Sequence, residues 1–345
     1  ARFTSVSHGI LHAGLVYPVS LPLDSLAVIA ALPSVARVED TFRPAAAPTL
    51  NVSNPEVQAS QVWDIRSLPV PFRGSGVVIA NIDTGVDIYH PGFFHADGGE
   101  FSWIDVNGNS SFDSGIDCVD LNGNGKADSD ETLRFYDAYC PDALGLISHS
   151  DGRFDTDLDW LYNDMNNNGV RDYGPEKGFS ETSPSFGERI FIIDNPHSPS
   201  NLVPGVTLVS LGTSKIRAII DKNGVHERGV NLFTNTGDTS NHGTASTGVL
   251  CGQIPGRRLT GMAPDAEIIM VNRLETSIEK AILQARDLGA MMFMYEYGSW
   301  VYEFLDGSSN VETMIATLAK DGYPQFTAAG NLAGPTRKKH AFFSV

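Results

Sequence analysis

Three short segments carry residue types that could do bond-breaking chemistry. Asp83 follows the apolar run 77–82 and begins Asp83-Thr84-Gly85-Val86-Asp87, with His90-Pro91 close behind. His242 sits in Asn241-His242-Gly243-Thr244, followed by Gly248, and Asn331 ends Ala328-Ala329-Gly330-Asn331. A carboxylate and an imidazole are two parts of a hydrolytic site built on a hydroxyl nucleophile. A serine hydroxyl attacks poorly at neutral pH unless a base lies within hydrogen-bond reach. Imidazole suits that task because it titrates near neutrality. A buried carboxylate then fixes the imidazole tautomer and stabilises the imidazolium. Each residue taken singly also has a structural reading: Asp83 as a strand-end cap, His242 as a helix N-terminal residue, Asn331 as a left-handed turn residue.

Positioning such groups requires rigid elements. Residues 77–82 (VVIANI) read as a buried strand entered from the turn 73–76, so Asp83 stands at its C-terminal end, where open α/β sheets place their sites. Residues 243–250 read as a helix with small residues on one side, and His242 opens it. Strands are expected at 267–271, 290–295 and 325–329, and helices at 277–288, closed by Gly289, and at 311–319. Helices alternating with buried strands predict an α/β fold with a parallel sheet and helices on both faces. Ahead of this core, 23–38 reads as an amphipathic helix, then Pro33 and a short strand near 35–38. Residues 44–48 (PAAAP) read as a linker, and 56–64 as a helix packing Val57, Val62 and Trp63.

In the order Asp83, His242, Asn331, with strand and helix context around each, the three segments resemble the subtilase family of serine peptidases. The resemblance implies an Asp-His-Ser triad in that chain order, with Asn331 donating a side-chain N–H to the tetrahedral oxyanion. It extends to Gly261-Met262-Ala263-Pro264 and to residues 294–298, the counterpart of the family's substrate-binding strand. There Glu296 stands where the family has Ser, so no specificity is assigned. The family's serine lies in a Gly-Thr-Ser turn several dozen residues beyond the Asn. Gly212-Thr213-Ser214 precedes His242 and runs on into Lys215-Ile216-Arg217, while Ser344 is too close to Asn331. The expectation is therefore a chain that is truncated before the nucleophile and inactive alone. The rest of the peptidase domain would be its partner. Residues 1–48, above all 32–40 (LPSVARVED), resemble the end of a subtilase propeptide, which in the family chaperones and inhibits the enzyme. The expected order is a propeptide-like remnant over 1–48, peptidase core over 49–99, an insertion over 100–232, and core again over 233–345.

The insertion is acidic. From Glu100 to Arg189 there are 19 acids against 6 bases, a net of −13 out of −17 for the whole chain. Such a chain repels phosphate backbones, which excludes a nucleic-acid-binding reading. Within it, Asp120, Asn122, Asn124, Lys126 (through its carbonyl), Asp128 and Glu131 fit every ligand position of the twelve-residue calcium loop, with Gly125 at the sharp turn. Weaker copies are Asp105, Asn107, Asn109 and Asp113, with Ile116 at the twelfth position, and Asp164, Asn166, Asn168 and Asp172, with Pro175 there. For these, Asx-rich turns are an equal reading. Structural calcium is the expected cofactor, tying a long insertion to the core.

Rival readings are weaker. Asp83-Thr84-Gly85 is also the aspartic-peptidase tripeptide, but that chemistry needs two such Asp residues and only one occurs. The alternative outside enzymology is a non-catalytic calcium-binding or adhesion protein on a peptidase scaffold. A hydrophobic content of 41% supplies a core, and no apolar run is long enough to span a bilayer. Of three cysteines, Cys251 reads as a small core residue. Cys118 and Cys140 flank the acidic loop and could bridge, worth about 3 kcal/mol in the loop-entropy account. Starting at Ala1 without a leader, the chain reads as a processed piece of a secreted or cell-surface protein, with a protein or peptide as substrate.

Overall fold

Residues 78–83 can be a central strand only if both faces are covered, because four of the six are apolar and fall on both faces. All six are buried. The computed structural model describes residues 25–35, 50–63, 72–137, 152–156, 158–193, 207–255, 260–273, 277–296 and 309–328. In chain order the helices are α1 (Leu26–Ala30), α2 (Leu50–Glu56), α3 (Ala59–Trp63), α4 (His242–Cys251), α5 (Ile278–Asp287) and α6 (Asn310–Lys320). The strands are β1 (Val78–Asp83), β2 (Glu100–Ile104), β3 (Cys118–Asp120), β4 (Leu133–Tyr136), β5 (Trp160–Asn163) and β6 (Ile190–Ile193). They continue with β7 (Thr207–Leu211), β8 (Ile216–Asp221), β9 (Gly224–Glu227), β10 (Glu267–Asn272), β11 (Met292–Tyr295) and β12 (Gln325–Thr327).

The first sheet has the order β12-β11-β1-β10-β8-β9. Its pairings are parallel except for the β8–β9 hairpin. Successive side chains of β1 go to opposite faces. Ile79 packs with Ile216, Ile268, Met270 and Cys251 of α4 on one side. Val78, Ala80 and Ile82 pack with Ala281, Ile282 and Ala285 of α5 and Leu318 of α6 on the other. Helices thus cover both faces of a mixed, mainly parallel sheet, the α/β arrangement that the alternating pattern predicts.

A second sheet, β3-β2-β7-β6-β5-β4, is antiparallel throughout. Ile190 and Ile192 of β6 join the core shared with α4, while Phe191 and Ile193 face a separate core with Trp103, Val119, Leu133, Leu161 and Leu208. The insertion is therefore not merely loop-rich. Of its strands, β6 and β7 fall on short β-like runs that the sequence shows at 189–193 and 206–211; the other four, three to five residues long, are too short for a periodic signal between Asx-rich loops. Residues 216–227, which the expected bounds 100–232 assign to the insertion, supply two strands of the first sheet.

Near the N-terminus, the helix expected over 23–38 is the single turn-and-a-half of α1, and residues 36–38 and the linker 44–48 lie outside the described residues. Residues 56–64 divide at Gln58, whose φ is 59°. Trp63 is buried and donates from Nε1 to the Met262 carbonyl at 3.0 Å, but Val57 and Val62 are exposed rather than packed. A polar contact does their work, since Asn54 Nδ2 donates to the Thr260 carbonyl at 2.7 Å. Among the described residues no helix is long and apolar enough to cross a membrane.

Candidate active site

Asp83 is the last residue of β1 and His242 the first of α4, and their side chains meet. The His242 Nδ1 lies 2.8 Å from Asp83 Oδ1 and 3.0 Å from Oδ2. An ionised carboxylate only accepts, so Nδ1 donates and the other ring nitrogen, Nε2, is left on the far edge of the ring. The Asp83 side chain is 1% exposed and that of His242 is 57% exposed, so the acid is held inside and the imidazole faces outward. Asp83 also accepts from the Thr84 N–H at 2.8 Å and from Ser246 Oγ at 2.6 Å.

Two glycines permit this meeting. A β-carbon on Gly243 would lie 2.0 Å from the Gly85 carbonyl oxygen, and one on Gly85 (φ 120°) would lie 2.2 Å from the Gly237 oxygen. The turn after Asp83 and the start of α4 are in backbone contact, which only residues without a side chain tolerate. The first turn of α4 leaves N–H groups that need partners. Asn241, at the cap position, makes no side-chain cap. Asp238 does that work: its carboxylate accepts from Thr244 N–H (2.8 Å), Thr244 Oγ1 (2.7 Å), Asn241 N–H (3.1 Å) and Thr84 Oγ1 (2.9 Å). Burial opposes ionisation of Asp238, but these hydrogen bonds outweigh it and hold its carboxyl below the usual range. Thr84 Oγ1 in turn accepts from the Gly243 N–H at 2.9 Å. Asp238 and Ser246 escaped the motif reading, because the helix-start signal lies at the residue directly before the helix, here Asn241, and Asp238 stands three residues ahead of it.

Other expected positions divide as follows. Asn331 lies outside the described residues; Ala328 donates its N–H to the Tyr295 carbonyl at 2.9 Å. Glu296 follows β11, and its N–H donates to the Ile82 carbonyl at 3.2 Å, beside Asp83. Burial first, then the Asp83 charge, pushes the Glu296 carboxyl up, against the opposing pull of His242. The turn at 261–264 closes the end of α4, with Met262 and Ala263 N–H groups on the Val249 and Leu250 carbonyls. Ser214 is buried and its Oγ accepts from the Ile216 N–H at 3.1 Å. His90 Nδ1 accepts from Gly92 N–H, and burial lowers its basicity, so it is a neutral structural side chain. Cys251 is buried in the core as expected, its thiol pushed up to about 11 by burial. The Cys118 thiol is free and buried, and Cys140 lies outside the described residues.

The three acidic loops share one hydrogen-bond pattern. In the second loop, Asp120 accepts from the N–H groups of Asn124 and Gly125, and the Asn122 and Asn124 amides both donate to Asp128 Oδ2 at 2.7 and 2.8 Å. Lys126 N–H is bound by Asn124 Oδ1. The first loop repeats this with Asp105, Asn107, Asn109 and Asp113, and the third with Asp164, Asn166, Asn168 and Asp172. Each is closed by one buried carboxylate that takes N–H groups from the second and ninth residues: Glu131 in the second loop, but Asp117 in the first and Glu188 in the third. Ile116 and Pro175 therefore do not leave their loops open. Asp117 comes one residue late, and Glu188 comes from the strand side of the chain, 16 residues past Asp172, beyond any local motif. Among the described residues no three Asp, Glu, His or Cys side chains converge as a ready metal cage.

The model of the Subtilase family matches residues 74–332 of the chain. Among the curated proteins none matches. Among solved structures the chain is similar to that titled "Structure of the Clostridium Perfringens CspB protease", with 14% identity and a TM-score of 0.36 over 78% of this chain and 38% of that one. The chain thus spans well under half the length of that structure. With Asp83 and His242 joined across the sheet in the expected order, and a family match covering most of its length, this chain belongs to the subtilase family.

Proposed function

We propose that this chain carries the acid–base half of a serine endopeptidase that hydrolyses peptide bonds. The observation that supports it most is the Nδ1···Oδ1 contact of 2.8 Å between His242 and a carboxylate that is 1% exposed. In this reading His242 takes the proton of a serine hydroxyl through Nε2 and returns it to the leaving amine. Asp83 holds the tautomer and stabilises the imidazolium, and Asn331 donates to the oxyanion. Among the described residues no serine hydroxyl is hydrogen-bonded to the His242 ring, and in this reading the nucleophilic serine is supplied from outside them. A fluorophosphonate probe should label the full-length protein and fail on its His242→Ala variant. No labelling of the full-length protein would favour the non-catalytic scaffold reading instead.

We further propose that the loops 105–113, 120–131 and 164–172 bind structural calcium. Their shared pattern supports this, because in each loop the third and fifth side chains both donate to one oxygen of the ninth, while the first accepts from the backbone N–H groups of the fifth and sixth residues. The site chemistry is all oxygen, which suits a hard cation. On binding, the Asn amides would turn their oxygens inward in place of the N–H groups now directed at the ninth residue. In this reading the protein works outside the cell or on its surface, where calcium is abundant enough to fill even weak loops of this type. Calorimetric titration of the chelated protein with calcium tests the proposal, and absence of a binding heat would end it.

A further inference from the structure

Asn81 is an oddity in the middle of β1. It is fully buried between Ala80 and Ile82, where an apolar side chain would fill the position, and its Oδ1 has no partner. A buried carbonyl oxygen without a donor is destabilising. What the residue gains is aim. Its Nδ2 donates to Ser246 Oγ at 2.9 Å and to Thr247 Oγ1 at 3.1 Å, both on α4. Ser246 Oγ stands 2.6 Å from Asp83 Oδ2 and 3.1 Å from the Gly243 carbonyl. A hydroxyl has one proton, and with its acceptor side taken by Asn81 that proton goes to the nearer, charged oxygen.

We infer that Ser246 is a positioning residue for the Asp83–His242 pair, with Asn81 acting through it. Three oriented groups then fix the carboxylate plane. The Thr84 N–H takes Oδ1, Ser246 takes Oδ2, and the His242 N–H is biased to Oδ1, the shorter of its two contacts. Without the Ser246 hydroxyl, Oδ2 becomes a free acceptor and the imidazole can rock toward it. The catalytic consequence rests on the peptidase reading; the hydrogen-bond relay does not.

The test is the ring 1H–15N spectrum of His242 in the intact protein, assigned by its loss in His242→Gln. Ser246→Ala should shift the Nδ1 resonance toward stronger donation, and Ser246→Thr, which keeps the hydroxyl, should leave it in place. Asn81→Val should shift it the same way by less, and the Asn81→Val/Ser246→Ala double variant should match Ser246→Ala alone. In the active full-length enzyme, Ser246→Ala should lower kcat roughly tenfold with KM unchanged, and Ser246→Thr should restore it. An unmoved resonance in Ser246→Ala, or an equal shift in Ser246→Thr, overturns the relay. Absence of turnover in every form, with the resonance shifts as expected, would count against the peptidase reading and leave the relay standing.

Discussion

Gly243 lies against Gly85 so closely that a β-carbon on the first would stand 2.0 Å from the carbonyl oxygen of the second. This contact sets how near the helix bearing His242 can come to the strand end bearing Asp83. Gly243→Ala should therefore push the two apart. Because a misplacement of about 1 Å can lower turnover about 100-fold, a loss of that order is expected in the full-length enzyme. Stability should fall by about 1–3 kcal/mol, as overpacking does. Peptide hydrolysis and urea denaturation on the same preparation check both.

Asp238 caps α4 in place of the residue at the cap position itself. Asp238→Ala should cost about 1–2 kcal/mol, the range for a lost helix cap. The pH dependence follows from its lowered pKa, which arises because hydrogen bonds from Thr244 and Thr84 overcome burial. A carboxyl held more acidic in the folded state contributes stability above its unfolded pKa, about 3.9. That contribution is lost as the pH falls through the lower folded value. Acid unfolding curves should accordingly be shallower in Asp238→Asn than in the parent.

Lys215 is fully buried, and among the described residues no carboxylate pairs with its amine. Its Nζ donates to the Cys251 carbonyl at 2.9 Å and the Gly92 carbonyl at 3.3 Å, and burial lowers it to about 8. A lysine whose folded pKa is depressed is held less protonated than in the unfolded chain, so folding becomes more favourable as pH climbs from the folded value toward the unfolded one. Stability should rise between about pH 8 and pH 10 by at most about 3 kcal/mol. That rise should vanish in Lys215→Met. A parent stability curve that is flat or falling over this range would refute the argument.

Calcium in the three loops predicts a thermal midpoint that drops on chelation and returns when the ion is restored. The gain should shrink as the solution is acidified toward pH 4, because protons then compete for Asp105, Asp120, Asp164 and the ninth-position acids. Differential scanning calorimetry with and without chelator, at two pH values, measures this. Identical melting in both conditions would remove calcium from the structural account.

Glu188 holds the third loop shut by taking N–H groups from Met165 and Asp172, each at 2.8 Å. Glu188→Ala would orphan both donors, one of them buried, at about 1–3 kcal/mol for the unsatisfied group. Amide exchange should accelerate across residues 164–172 and stay unchanged at β1 and β10, which share no partner with it.

Local chemistry is legible in the residue string because it depends on short-range covalent spacing. The acid after a buried strand, the His opening a small-residue helix, the twelve-residue loop at 120–131 and the alternation of helices with apolar strands are all properties of a few consecutive residues. Relations between segments are not. That Asp83 and His242, 159 residues apart, share a hydrogen bond follows from β1 and α4 packing together. That Glu188 completes a loop begun at Asp164, that Asp238 caps α4, and that a run of short strands closes into a second sheet were likewise settled only by folding. Long-range packing pairs groups by position in space, and a donor needs no sequence neighbour to find its acceptor.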